Sequence, residues 1–156
     1  MVAEITHLVP KSRRRTCRTR VPRDRGAFAL HISHMNVHRI LHLQFLSLLL
    51  LAIVFFTGLE FDLFFSVWWL DILMHFLGGV WAGYAVIWVS RRIGLRLSFM
   101  HIVILVLAIG VAWELFEYMN DLTYSSFMSY PKDTVKDIVV DVVGGIAAYR
   151  SISKRV

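Results

Sequence analysis

The sequence predicts an all-α membrane protein: a four-helix transmembrane bundle with both termini on the cytoplasmic side. Three observations predict it. Apolar residues gather in blocks of membrane-spanning length, basic residues fall on alternate connections, and every carboxylate from Glu60 onward collects at the opposite side. The bulk composition agrees. Hydrophobic residues make up 57% of the 156-residue chain and mean hydropathy is +0.61, more apolar character than a water-soluble domain of this size carries.

The blocks are "ILHLQFLSLLLLAIVFFT" at 40–57, "DILMHFLGGVWAGYAVIWV" at 71–89, "FMHIVILVLAIGVAWELFEY" at 99–118 and a fourth at 133–150 that opens "DTVKDIVVDVVGG". Each has about the 20 residues that cross ~30 Å of hydrocarbon at ~1.5 Å per residue. Lipid offers no partner to a free backbone amide, so each block is expected to be helical. The fourth is the least apolar, because Asp133, Lys136, Asp137 and Asp141 interrupt its first half. Residues 1–38 precede the bundle (39–156) as a basic arm around "KSRRRTCRTRVPRDR", expected to be disordered or loosely held by anionic headgroups. Met35 offers an alternative start close to the first block. That block resembles a signal sequence, but its apolar run is too long and no A-x-A site follows, so it reads as an uncleaved anchor.

Orientation follows the basic residues. The arm, the connection "SRRIGLRLS" and the terminus "YRSISKRV" lie on one side, while "GLEFDLFFSVWW" and "MNDLTYSSFMSYPK" are nearly free of arginine and lysine. The expectation is a multi-pass protein of the inner, cytoplasmic membrane, N-in and C-in. The net charge of +6 then marks topology and lipid contact, not nucleic-acid binding. A single cysteine, Cys17, excludes an intramolecular disulfide.

The ionisable residues inside the blocks carry the functional argument. Asp71 and His75 are an i, i+4 pair on the second helix, continued by Gly78, Gly79 and Ala82. Glu114 and Glu117 share a face at the end of the third, continued inward by Gly110. Asp133, Asp137 and Asp141 form an i, i+4, i+8 stripe on the fourth, extended by Gly144, Gly145 and Ala148. With alternating helix direction the three acidic patches reach similar depth near the outer surface. They predict a small polar chamber above a floor of close-packed small residues. The first helix has no such stripe and reads as an anchor and wall.

Ionisable groups within a membrane face the bundle interior and mark function. Carboxylates this close raise one another's proton affinity unless a cation sits among them. Oxygen ligands with one imidazole suit Mg²⁺, Mn²⁺, Fe²⁺ or Zn²⁺, and carboxylates on facing helices build such sites. His75, Glu114, Glu117, Asp137 and Asp141 are the candidate metal ligands. Asp71, His75, Glu114, Asp137 and Asp141 are the candidate catalytic set, acting on a lipid-linked or cell-envelope substrate. Two alternatives stay open: an accessory envelope protein whose polar cluster fixes helix packing, and an ion- or proton-coupled carrier. For Asp71 and Asp133, a helix-start role beside the dipole is an equal reading. Asp121 is assigned to solvent. Lys132 and Lys136 are expected to snorkel outward, and Trp113 to shield Glu114.

Other features weigh less. His31, His34, His38 and His42 share one helical face, read as an amphipathic lead-in at the headgroup layer and not as a ligand set. Trp68, Trp69, Tyr118, Tyr124 and Tyr130 fit an outer aromatic belt. No nucleophile elbow, P-loop, dinucleotide fingerprint or H-E-x-x-H is present.

The motifs D-x-x-x-H-F-x-G-G (from Asp71), W-E-L-x-E (from Trp113) and D-x-x-x-D-x-x-x-D-x-x-G-G (from Asp133), in this order, resemble the VanZ-like membrane proteins and most closely the YjdF-like inner-membrane family. The matching residues include Asp71, His75, Phe76, Trp113, Glu114, Glu117, Asp133, Asp137, Asp141 and Gly144, and the likeness runs from about Trp68 to Ala148. It implies a small helical protein of the cytoplasmic membrane and supports the polar residues as a set. It implies no substrate.

Overall fold

Every apolar block becomes a helix, and every helix outruns its block. The structure is a computed structural model that describes residues 37–120 and 129–153. Its elements are α1 (Val37–Glu60), a one-turn α2 (Leu63–Ser66), α3 (Trp68–Arg92), α4 (Phe99–Met119) and α5 (Tyr130–Ser153). Among the described residues there is no strand. The basic arm with Cys17, His31 and His34, and the connection holding Asp121 and Tyr124, lie outside the described residues.

The extra turns have local causes. α3 begins at Trp68 because Val67, extended at φ −120°, accepts the Leu70 amide at 3.0 Å and opens the first turn there. Asp71 therefore lies inside the first turn, where its charge favours the helix dipole. The turn of α2 was not expected. Asp62, at φ +51°, reverses the chain after α1, and aspartate is one of the few residues that tolerates this left-handed geometry.

α1, α3 and α4 are long and apolar enough to cross a membrane. α5 has the length, 24 residues, but not the composition, since Lys132, Asp133, Lys136, Asp137 and Asp141 fill its first three turns. Its two faces differ in character. Asp137, Asp141, Gly144, Gly145, Ala148, Tyr149 and Ile152 are buried. Val135, Val139 and Val143, spaced i, i+4, i+8, are exposed. The helix is amphipathic with its polar stripe inward and its apolar stripe outward, the reverse of a helix on a water-soluble protein.

α5 packs on α3 and α4, and among the described residues the α3–α5 seam is the closest. Small residues make it so. A methyl group on Gly79 would overlap the backbone carbonyl of Asp141, one on Gly144 would overlap that of Phe76, and one on Gly83 would come within 2.9 Å of the Ala148 Cβ. Backbones meet there because no side chain stands between them. Toward the Arg92 end, Ile40, Ala82, Ile87, Ile102, Val106, Ala148 and Ile152 form the apolar core. Tyr84 Oη and Ser151 Oγ share a hydrogen bond of 2.8 Å across the same seam. The expected floor of small and apolar residues is therefore present below the acidic end. α1 stands apart: it packs on α3 and α2, and among the described residues it makes no close backbone approach to α4 or α5.

Candidate functional site

The first turns of α3, the last turns of α4 and the first three turns of α5 meet at one end of the bundle, and each contributes acidic side chains. His75 is at the centre, buried with Glu114, Asp137 and Asp141. Its Nδ1 lies 3.5 Å from Asp141 Oδ2. Its Nε2 faces Asp71 Oδ1 and Glu114 Oε1, both at 3.7 Å. The two ring nitrogens thus look into different surroundings: one toward a single carboxylate on α5, the other toward carboxylates on α3 and α4.

A second centre adjoins it. Lys136 Nζ donates to Asp133 Oδ1 at 2.7 Å and Asp71 Oδ2 at 2.9 Å, and lies 3.2 Å from Asp137 Oδ1. The expectation that this lysine snorkels outward is corrected: three carboxylates around one ammonium hold it in. Lys132 is exposed. Trp113, expected to shield Glu114, also donates its indole N–H to Glu117 Oε1 at 2.9 Å, one turn away. His38 and His42 are exposed, away from this end.

The cluster leaves polar atoms without partners. Glu114 Oε1 and Asp137 Oδ1 are buried without a well-formed hydrogen bond among the described residues; Thr134 lies beside Glu114, and Asp137 Oδ1 has its ion pair with Lys136. A buried carboxylate oxygen left in this state is costly, and such an atom in a folded protein calls for a proton, a water or an ion. Two groups of ligand atoms are close enough to hold one: Asp71, His75 and Asp137, and His75, Glu114 and Glu117, each within 4.8 Å of one another. Lys136 already serves two members of the first group. The second is free of any such lysine contact.

The cluster opens into a cavity of ≈ 690 Å³ whose remaining wall is apolar, with Leu48, Leu51, Ala52 and Phe55 of α1 facing Ile109 and Trp113 of α4. Sequence spacing brought Asp71, His75, Glu114, Glu117, Asp137 and Asp141 to one end, and all six line this cavity. It missed Lys136 and Thr134, which lie on the same stretch of α5. Lys136 was detectable, since a lysine three residues after Asp133 shares a helical face with it.

A helical bundle of apolar segments around a buried histidine and carboxylates defines a class: membrane proteins with a buried polar centre. The family model described as "Predicted membrane protein (DUF2238)" matches residues 27–155, and the chain belongs to that family. No curated protein and no solved structure matches the chain.

Proposed function

We propose that the protein is a metal-dependent enzyme of the cytoplasmic membrane, its metal held by His75 Nε2, Glu114 and Glu117, acting on a lipid-linked or envelope substrate at the outer face. The observation that carries this reading is the spacing of the donors at Nε2. Carboxylate oxygens at 3.7 Å are too far for a hydrogen bond, and Glu114 Oε1 is buried without another partner. Ligands about 2.1 Å from one ion are separated by roughly 3.0–3.4 Å along an octahedral or tetrahedral edge, so the His75–Glu114 pair closes on an ion by a few tenths of an ångström, while Glu117, whose ligand atom lies within 4.8 Å of the other two, swings in from its Trp113 contact. Asp141 then acts as the positioning residue, accepting Nδ1–H so that the Nε2 lone pair is directed at the ion. Asp71 and Asp137 serve as acid and base groups, Lys136 offsetting their charge. The ion's contribution is to activate a water or polarise a phosphoryl or carbonyl oxygen.

The membrane placement in this proposal is four spans, N-in and C-in. The outward valines of α5 support a fourth embedded helix, and the alternation of basic segments supports the orientation. The motif match supports placing the chain near the YjdF-like proteins within the VanZ-like group.

The test is elemental analysis of protein purified from the membrane, beside His75→Ala and Glu114→Gln. The expected result is about one divalent ion per chain, loss of the ion in both variants, and melting temperatures that rise on metal addition only for the parent. An ion-free parent whose melting temperature ignores Mg²⁺, Mn²⁺, Fe²⁺ and Zn²⁺ would sink the proposal and leave the cluster as a packing device.

A further inference from the structure

The cavity is unusual in its walls. On α4 its lining residues Val106, Ile109, Gly110, Trp113 and Glu117 follow one helical stripe that changes from apolar to acidic along the axis. On α1 the lining residues Leu48, Ala52, Phe55 and Leu59 make a facing stripe that is apolar throughout. α3 closes the back with His75, Gly78 and Ala82. The fourth side, between α1 and α4, has no close backbone approach. The result is a slot polar at one end and apolar along its length, with no backbone contact closing it between α1 and α4. From Leu48 to Leu59 it runs for roughly 16 Å at ~1.5 Å per residue, about half the ~30 Å hydrocarbon thickness, which is one leaflet.

We infer that this slot receives a membrane lipid laterally from the bilayer, between α1 and α4, with the hydrocarbon chain against Ala52, Phe55 and Ile109 and the polar headgroup at the His75 cluster. A water-soluble substrate would have no use for the apolar wall. An acidic chamber reached only from water would not need the α1–α4 side to lack a close backbone approach. The polarity gradient along the slot matches that of a lipid in one leaflet, headgroup beside the carboxylates and tail beside the leucines. Trp113 is half exposed at the mouth, where one indole edge is apolar and its N–H is held by Glu117. The headgroup's place at the cluster rests on the metal reading above, whereas the tail's place rests on the slot alone.

The test uses the full chain in nanodiscs of phosphatidylethanolamine and phosphatidylglycerol, doped with phosphatidylglycerol bearing a diazirine high on one acyl chain. After irradiation, labelled residues are mapped by mass spectrometry, and metal content is measured on the same samples. Labelling at Leu51, Ala52, Ile109 and Trp113 is expected at least about fivefold above the lipid-facing residues Phe45, Ile53 and Ile104. Ala52→Trp and Ile109→Trp, which fill the slot from opposite walls, should each bring the other wall to the background level with metal content unchanged. Uniform labelling of slot and outer faces, untouched by either tryptophan, means annular lipid only and overturns the inference. Protein–protein crosslinks at the slot in place of lipid would overturn it too, by showing a second copy seated there. If the metal is present and labelling is uniform, this inference alone fails. If labelling is focused and no metal is found, the tail site stands and the metal reading fails.

Discussion

α1 and α5 have the same length, 24 residues, flank the same helix, and use opposite rules. α1 is among the most hydrophobic segments, yet it buries little besides Ile40, Ser47 and Gly58. α5 is the least hydrophobic of the long helices, yet it contacts both α3 and α4 and supplies the buried Asp137, Asp141, Gly144 and Gly145. In a bilayer, lipid tails are as apolar as leucine, so hydropathy identifies what touches lipid and is silent about what touches protein. Small and polar residues mark the packed surface. The helix that a hydropathy scale ranks lowest is therefore the one that organises the bundle.

The largest test of that comparison is at the α3–α5 seam. Gly79→Leu places four carbons where the carbonyl of Asp141 lies. A glycine removed from a helix interior gains ~1 kcal/mol of propensity, but overlap with a backbone that has nowhere to go costs several times more. The expected outcome is loss of the folded monomer on size-exclusion chromatography in detergent. On α1, Leu49→Ala removes three carbons from an exposed side chain and should change stability by no more than ~0.5 kcal/mol. A folded Gly79→Leu protein would erase the distinction between the two helices.

A second substitution asks whether the outward face of α5 meets lipid, as α1 does. Val139 is exposed midway between Val135 and Val143. A lysine there should cost about 2.5 kcal/mol if the face is embedded, close to the cost of Ile53→Lys on α1. A Val139→Lys protein that folds and inserts like the parent, while Ile53→Lys does not, would place α5 outside the hydrocarbon.

The parts of this fold that could be seen in the sequence are those set by helical period and by composition. Spacing of three and four residues put Asp71 with His75, Glu114 with Glu117, and Asp137 with Asp141, because those intervals share a face whatever the helix packs against. Alternating direction then brought the three patches to one end. What period cannot supply is the neighbour. It gave no sign that Trp113 would hydrogen-bond Glu117, because both glutamates lie within about a turn of it. It could not separate α1 from α4, since nothing in either stripe says that the other stands away. The extra turn at α2 depended on the single left-handed residue Asp62, invisible in a hydropathy pattern.

Lys136 gives the finest discrimination, because it is the cation that α5 holds among the carboxylates of its seam. Its ammonium is partly buried among Asp71, Asp133 and Asp137 at 2.7–3.2 Å. Its stem could reach the interface, so holding it inward costs side-chain entropy that only the three contacts repay. Lys136→Met preserves the stem and removes the charge. A fully buried pair broken this way loses ~3–5 kcal/mol, and partial exposure of Asp71 and Lys136 lowers the expectation to about 2 kcal/mol, read by thermal or denaturant unfolding in detergent. Adding Asp137→Asn should recover part of that loss, since the stranded carboxylate is then neutral. Divalent metal sharpens the result. The carboxylates that Lys136 vacates belong to the other ligand group around His75, so Mg²⁺ or Mn²⁺ should restore more stability to Lys136→Met than it adds to the parent. Equal metal response in the two proteins would mean that the lysine and the ion do not compete, and that the acidic end of α5 is held by the ammonium alone.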